Sequence, residues 1–100
     1  MEIIGVISVR ENEQKSGGYC IDYIAVHKEY RKRGISAQLM DTVIEYVKSV
    51  NGRYIHANTC NTELYKGVMG LYNKKGFKLV GQLPDYYFEG ENMVTYYKKI

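Results

Sequence analysis

The sequence predicts one α/β domain on a mixed, mostly antiparallel sheet, with elements in the order β-β-α-β-α-β-β. Three observations predict it. Short β-prone runs at both ends of the chain are bounded by Gly-containing turns. An apolar stripe at the helical period lies between the second and third runs, which calls for a parallel pairing with a right-handed crossover. The chain has 100 residues, 45% hydrophobic and 25% charged, so it supports a single modest core over residues 1–100 and no second domain.

The first strand is read at Glu2–Arg10, rich in Ile and Val with apolar residues at both parities, as in a strand buried on both sides. ENEQKSGG at Glu11–Gly18 is a hairpin turn or slightly longer loop. Tyr19–His27 is the second strand; strict alternation sends Cys20, Asp22, Ile24 and Val26 to one side and Tyr19, Ile21, Tyr23, Ala25 and His27 to the other. Asp22 is the odd member. A carboxylate in an apolar strand must be paired, lie at an edge, or face a wet cleft.

Ile35, Leu39, Val43, Val47 and Val50 then repeat near the helical period, widened by Met40, Ile44 and Tyr46, with Asp41 and Glu45 outside the stripe. Asn51-Gly52 ends this helix, Gly being expected in the left-handed cap. Arg53–Cys60 reads as the third strand. Asn61-Thr62-Glu63 starts a second helix, with Leu64, Val68, Leu71 and Tyr72 on one face and Lys74, Lys75 and Gly76 at its end. Phe77–Leu83 is the fourth strand, Pro84–Glu91 a loop, and Asn92–Lys99 the fifth strand.

Composition narrows the function classes. A net charge of +3 is too small to indicate nucleic acid unless focused, and its focus at Lys28–Arg33 is short and not interleaved with aromatic residues. No apolar run approaches the roughly 20 residues that span a bilayer, and MEIIGVISVRENE lacks the pattern of a signal peptide. A cytoplasmic protein away from the membrane is expected. Cys20 and Cys60 have no CxxC spacing, and His27 and His56 are the only other soft ligands, so reduced thiols are expected and no metal site.

The chemistry concentrates at IAVHKEYRKRGISAQL, Ile24–Leu39, where an apolar strand meets a basic loop and a helix opens behind it. The first N–H groups of a helix lack intrahelical partners and lie at its positive dipole end, so they bind anions where a small residue lets one approach. Gly34 supplies access, and Arg31, Lys32 and Arg33 supply the field. A solvated basic loop is the competing reading of the same residues.

The element order, the run VHKEYRKRGISAQL and the later GLYNKKGFKLVG together resemble the acyl-CoA-binding half of the GCN5-related N-acetyltransferase (GNAT) family. The family's Gln/Arg-x-x-Gly-x-Gly/Ala loop is matched by Arg31, Gly34 and Ser36. Its Leu-Tyr-x-x-x-Gly-Phe is matched by Leu71, Tyr72, Gly76 and Phe77. The resemblance implies a site for the pyrophosphate of acetyl-CoA on the backbone from Arg31, Lys32 and Arg33 through Gly34 and Ile35 to Ser36 and Ala37. It implies that Ile24, Ala25 and Val26 line the pantetheine arm and thioester, with an N–H of Ile24 or Ala25 toward the acyl oxygen.

Tyr72 stands at the family's general-acid tyrosine, against a competing reading as a core aromatic. Asp22 stands where many members carry a carboxylate, as general base or as a structural partner. The activity implied is transfer of acetyl from acetyl-CoA to a primary amine; the alternative is a non-catalytic CoA-binding or protein-interaction module.

Departures from the family pattern bear on the acceptor. Tyr65 takes the place of an Asn that touches the pantetheine arm, and Val68 is bulkier than the small residue expected. The chain starts at what resembles the family's third strand, lacking the strands and helices that wall the acceptor site. That side is open, completed by a second protomer, or rebuilt from Asp85-Tyr86-Tyr87-Phe88, which is similar to a segment of the family's amino-terminal and ribosomal-protein acetyltransferases. Exposed apolar sheet invites association, and a homodimer is expected.

Overall fold

A computed structural model describes residues 3–100. Five strands and two helices follow in the predicted order: β1 (Gly5–Glu11), β2 (Gly18–Val26), α1 (Ile35–Ser49), β3 (Tyr54–Cys60), α2 (Lys66–Lys74), β4 (Lys78–Phe88) and β5 (Glu91–Lys99). They form one sheet in the order β1-β2-β3-β5-β4. Among the described residues only β2 and β3 pair in parallel, across the α1 crossover.

Both helices pack on one face of this sheet. Tyr19 and Ile21 of β2, Ile55 and Ala57 of β3, and Val94 and Tyr96 of β5 meet Met40, Val43, Ile44 and Val47 of α1 and Tyr72 of α2 in one cluster. Each Val, Ile or Met among them, fully buried, contributes about 1.5–3 kcal/mol. Among the described residues no helix covers the opposite face, where Tyr54 stacks on Tyr97 at 5.4 Å and Arg10 pairs with Asp22.

The helix ends follow from local sequence. α1 closes with N–H groups of Asn51 and Gly52 on the carbonyls of Lys48 and Val47 at 3.1 and 2.8 Å. Asn51, not Gly52, takes the left-handed conformation, at φ 59; Gly52 is required because a Cβ there would overlap Val47 Cγ1. α2 ends with Gly76 at φ 87 and the Phe77 N–H on Tyr72 O at 2.9 Å.

Four further expectations are corrected. β1 alternates between half-buried and exposed residues, because it is a sheet edge with only one face under α1; its expected start at Glu2 lies outside the described residues. The alternation along β2 breaks at Asp22. Ser8 pairs with Tyr23 and Val9 with Ile21, so Asp22 is the extra residue of a β-bulge. Beyond the bulge Ile24 packs on the core, on the same side as Ile21.

Leu64 does not join the buried face of α2: it sits on a preceding 3₁₀ turn, Glu63–Tyr65, and is 85% exposed. Finally, Pro84–Phe88 is strand rather than loop. β4 is the other sheet edge, where a Pro removes no needed hydrogen bond, and the turn is the tight Glu89-Gly90, with Gly90 at φ 82.

Candidate active site

The register of β2 against β3 runs from Gly18↔Tyr54 to Ile21↔Ala57 and stops there, although the strands continue to Val26 and Cys60. The bulge explains the stop. Asp22 has no register partner on either neighbour, and the bend it introduces carries the rest of β2 away from β3. The gap is a wedge-shaped cavity of about 400 Å³ between Ile21–Ile24 and Asn58-Thr59, with Tyr65, Val68 and Tyr72 above it.

Tyr72 is both core residue and wedge wall. It is 3% exposed, stacks on Tyr96 at 5.2 Å and leans on Phe77 at 5.1 Å. Burial, with a smaller contribution from Cys20, pushes its hydroxyl up to about 12, so it holds its proton at any physiological pH. On the open face Asp22 accepts from Arg10 Nε at 2.9 Å through one oxygen, and the other lies 2.8 Å away. Cys20 and Cys60 are free thiols, and burial pushes the Cys20 thiol up.

At one end the wedge shares Ile24, Tyr65 and Val68 with a cleft of about 680 Å³ at the start of α1. Its floor is Ile24–Val26 and its far wall is the first turn of α2. Gly34 caps α1 at φ 77 with no side-chain hydrogen bond. The first intrahelical bond is Gln38 N–H to Gly34 O at 3.1 Å, which leaves the N–H groups of Ile35, Ser36 and Ala37 without helical acceptors. A Cβ on Gly34 would meet nothing within 4 Å, so the left-handed backbone and the space above the helix end call for Gly, not close packing. Arg31 is fixed by its Nε donating to Val26 O at 3.1 Å.

At its other end the wedge shares Asn58, Thr59 and Tyr65 with a third cavity of about 370 Å³, closed by Tyr87, Phe88 and Glu91. The hairpin tip that closes it is held by Asn92. Its N–H donates to Asn61 Oδ1 at 2.9 Å, its Nδ2 to Gln82 Oε1 at 3.1 Å, and its Oδ1 accepts from Asp85 N–H at 2.9 Å.

A family model for acetyltransferases (GNAT) matches residues 1–77. This chain belongs to the GNAT family. The GNAT fold is shared at TM-score 0.90 with a family member from Desulfovibrio desulfuricans, 23% identical, over 96% of this chain and 60% of that one. It is shared at 0.86 with the IAA acetyltransferase of Bacillus cereus, 22% identical, over 99% and 71%. A GNAT acetyltransferase from Elizabethkingia anophelis with acetyl-CoA bound matches at 0.86, 22% identical, over 99% and 70%. The chain thus spans about three fifths of the length of the first of these relatives. Among curated proteins no sequence matches it.

Within this GNAT domain, Ile24, Ala25, Val26, Arg31, Lys32, Gly34, Ile35, Ser36 and Ala37 line the one cleft. Arg33 does not; its guanidinium stacks over the Tyr30 ring at 5.1 Å. Tyr72 and Asp22 both border the wedge. Sequence reasoning missed Asn58 and Thr59, which enter because β3 runs beside the bulge, and it noted Tyr65 only as a departure although Tyr65 borders all three cavities. The parallel crossover was the available signal: whatever follows the last paired residue of β3 must face β2 across the gap.

No helix of the described residues is long and apolar enough to cross a membrane, and none of their His, Cys, Asp and Glu side chains cluster in threes to hold a metal ion.

Proposed function

We propose that the chain is an acetyl-CoA-dependent N-acetyltransferase that passes acetyl directly to a primary amine of a small molecule or a peptide N-terminus. The observation that carries this reading is a trough of three adjoining cavities that all border Tyr65: a cation-lined cleft at a helix start, a wedge between splayed strands under Tyr72, and a third cavity beyond. Acetyl-CoA fits what is present. The uncapped helix end suits a pyrophosphate, Gly34 leaves the approach open, and about 680 Å³ is within the range of cofactor sites.

The backbone N–H groups from Gly34 to Ala37 would hold the pyrophosphate, with Arg31 and Lys32 adding field. Ile24–Val26 would orient the pantetheine arm. When bound, acetyl-CoA supplies an activated acyl carbon and a thiolate leaving group. An N–H of Ile24 or Ala25 stabilises charge on the acyl oxygen. The Tyr72 hydroxyl, kept neutral by burial, gives its proton to the departing sulfur. Asp22, directly or through one water, takes the proton that the amine must lose.

Calorimetry with acetyl-CoA followed by a thiol-release assay over a panel of primary amines tests this. Amine-dependent release supports it, and no acetyl-CoA binding at high micromolar ligand would sink it. A second reading, a CoA-binding module without turnover, draws on the engagement of Asp22 by Arg10; it expects binding with no thiol release. The proposal includes a homodimer through exposed sheet, β4 carrying Leu79, Val80, Leu83 and Phe88 at 49–73% exposure. Sedimentation reads this as a mass near twice 11.6 kDa.

A further inference from the structure

Charge is segregated along the trough. Arg31 and Lys32 line the cleft at α1, and no Asp or Glu does. In the wedge and the third cavity the pattern reverses: Asp22 and Glu91 are the carboxylates, and no Lys, Arg or His lines either space. The two acids differ. Asp22 is neutralised by Arg10 at 2.8 Å, whereas Glu91 makes no ion pair among the described residues. Tyr65, Tyr87 and Phe88 share the cavity with Glu91, and aromatic faces attract cations.

An amine that is to react must be neutral when it attacks. A cavity built to hold a positive charge is therefore built for a nitrogen other than the one at the wedge. The backbone of Glu91 is anchored: it immediately precedes Asn92, whose backbone and side chain are held by three hydrogen bonds to Asn61, Gln82 and Asp85.

We infer that the acceptor is a small diamine or polyamine, its reacting nitrogen at the wedge beside Tyr72 and its second, charged nitrogen against Glu91 among Tyr65, Tyr87 and Phe88. This names the acceptor class of the acyl-transfer reading and rests on it. The cavity volume of about 370 Å³ suits a chain of a few methylenes between two nitrogens. A monoamine of equal length, with its one nitrogen at the wedge, fills the same space and leaves Glu91 unpaired.

The test compares 1,5-diaminopentane with 1-aminopentane, each titrated by calorimetry into the protein loaded with CoA as free thiol, where no turnover occurs, and each assayed for thiol release from acetyl-CoA. The diamine is expected to bind about tenfold more tightly or better, as one charge-assisted contact provides. Glu91→Gln removes that preference. Glu91→Asp restores part of it, which a folding defect would not.

Equal affinity for the two amines, a preference unchanged in Glu91→Gln, or failure of both to bind overturns the inference. Glu91-dependent binding with no thiol release upholds the cation site and overturns the transferase reading. Thiol release that is equally efficient with both amines, with Glu91→Gln behaving as wild type, upholds the transferase and overturns the diamine class.

Discussion

Arg10 reaches across from β1 to Asp22 on β2 and holds its carboxylate at 2.8–2.9 Å, on the sheet face that no helix of the described residues covers. The pair sits at the bulge that opens the wedge. Asp22 is therefore oriented by an ion pair and placed at the mouth of the candidate site at once, and its removal separates the two roles. Asp22→Asn is expected to lower kcat/KM by about 10²–10⁴-fold below neutral pH, with the loss shrinking as pH approaches the amine's own pKa and the amine sheds its proton unaided. Stability changes by less than about 1 kcal/mol, as for a partly exposed pair. A pH–rate profile checks this; a loss equal at every pH, with a large drop in melting temperature, would assign Asp22 a structural role only.

Gly34 is constrained twice, by its φ of 77 and by the space above it. Gly34→Ala is expected to cost about 1 kcal/mol of stability from the left-handed backbone and to weaken acetyl-CoA binding at least tenfold. Gly34→Asn separates the two effects. Asn tolerates the left-handed region, so stability recovers while affinity does not. Paired thermal melts and calorimetry read both, and recovery of affinity in the Asn variant would remove the anion site from the helix end.

Tyr72 makes two predictions with different readouts. Tyr72→Phe keeps the ring stacked on Tyr96 and is expected to lower kcat by about 10²-fold or more through loss of the proton donor. Its effect on stability depends on pH. The unfolded tyrosine titrates near 10 and the folded one near about 12. Between those values the unfolded chain has released a proton that the folded chain keeps, so the wild type loses stability as pH rises through that window. Relative to Tyr72→Phe the loss is on the order of 2 kcal/mol, fully absent below pH 10. Denaturant melts of both proteins from pH 8 upward measure it, and parallel curves would show that Tyr72 is not desolvated.

Asn92 holds the hairpin tip to β3 and β4 rather than touching the wedge. Asn92→Ala keeps the backbone bond to Asn61 Oδ1 but leaves Asp85 N–H and Gln82 Oε1 to solvent, and is expected to cost about 1–2 kcal/mol. The KM for the amine rises while the acetyl-CoA Kd stays within about twofold, because the cofactor cleft lies at the other end of the trough. Equal weakening of both ligands would mean that the tip supports the whole sheet and not the acceptor end alone.

Local signals carried most of the fold. Each helix was marked by its own stripe and its own terminal residues, and the crossover rule then set β2 and β3 parallel. What escaped depended on neighbours. The phase of β2 reverses at Asp22 because β1 pairs around it, which no property of YCIDYIAV announces. Pro84 reads as a breaker unless β4 is known to be an edge. The cleft at the start of α1 was legible for the same reason as the helices, since Ile24–Val26 and Arg31–Ala37, Arg33 apart, lie in one short stretch of the chain. Asn58, Thr59, Tyr65 and Glu91 come from three separate elements and meet only in the folded sheet, so the cavity they line was not.

The most direct test of the central claim, that this trough transfers an acyl group rather than merely holding CoA, is thiol release from acetyl-CoA measured with and without primary amines. Release that requires an amine and falls at least 10²-fold in Tyr72→Phe is predicted. Tight acetyl-CoA binding with no amine-dependent thiol, from any amine of the panel, would contradict it.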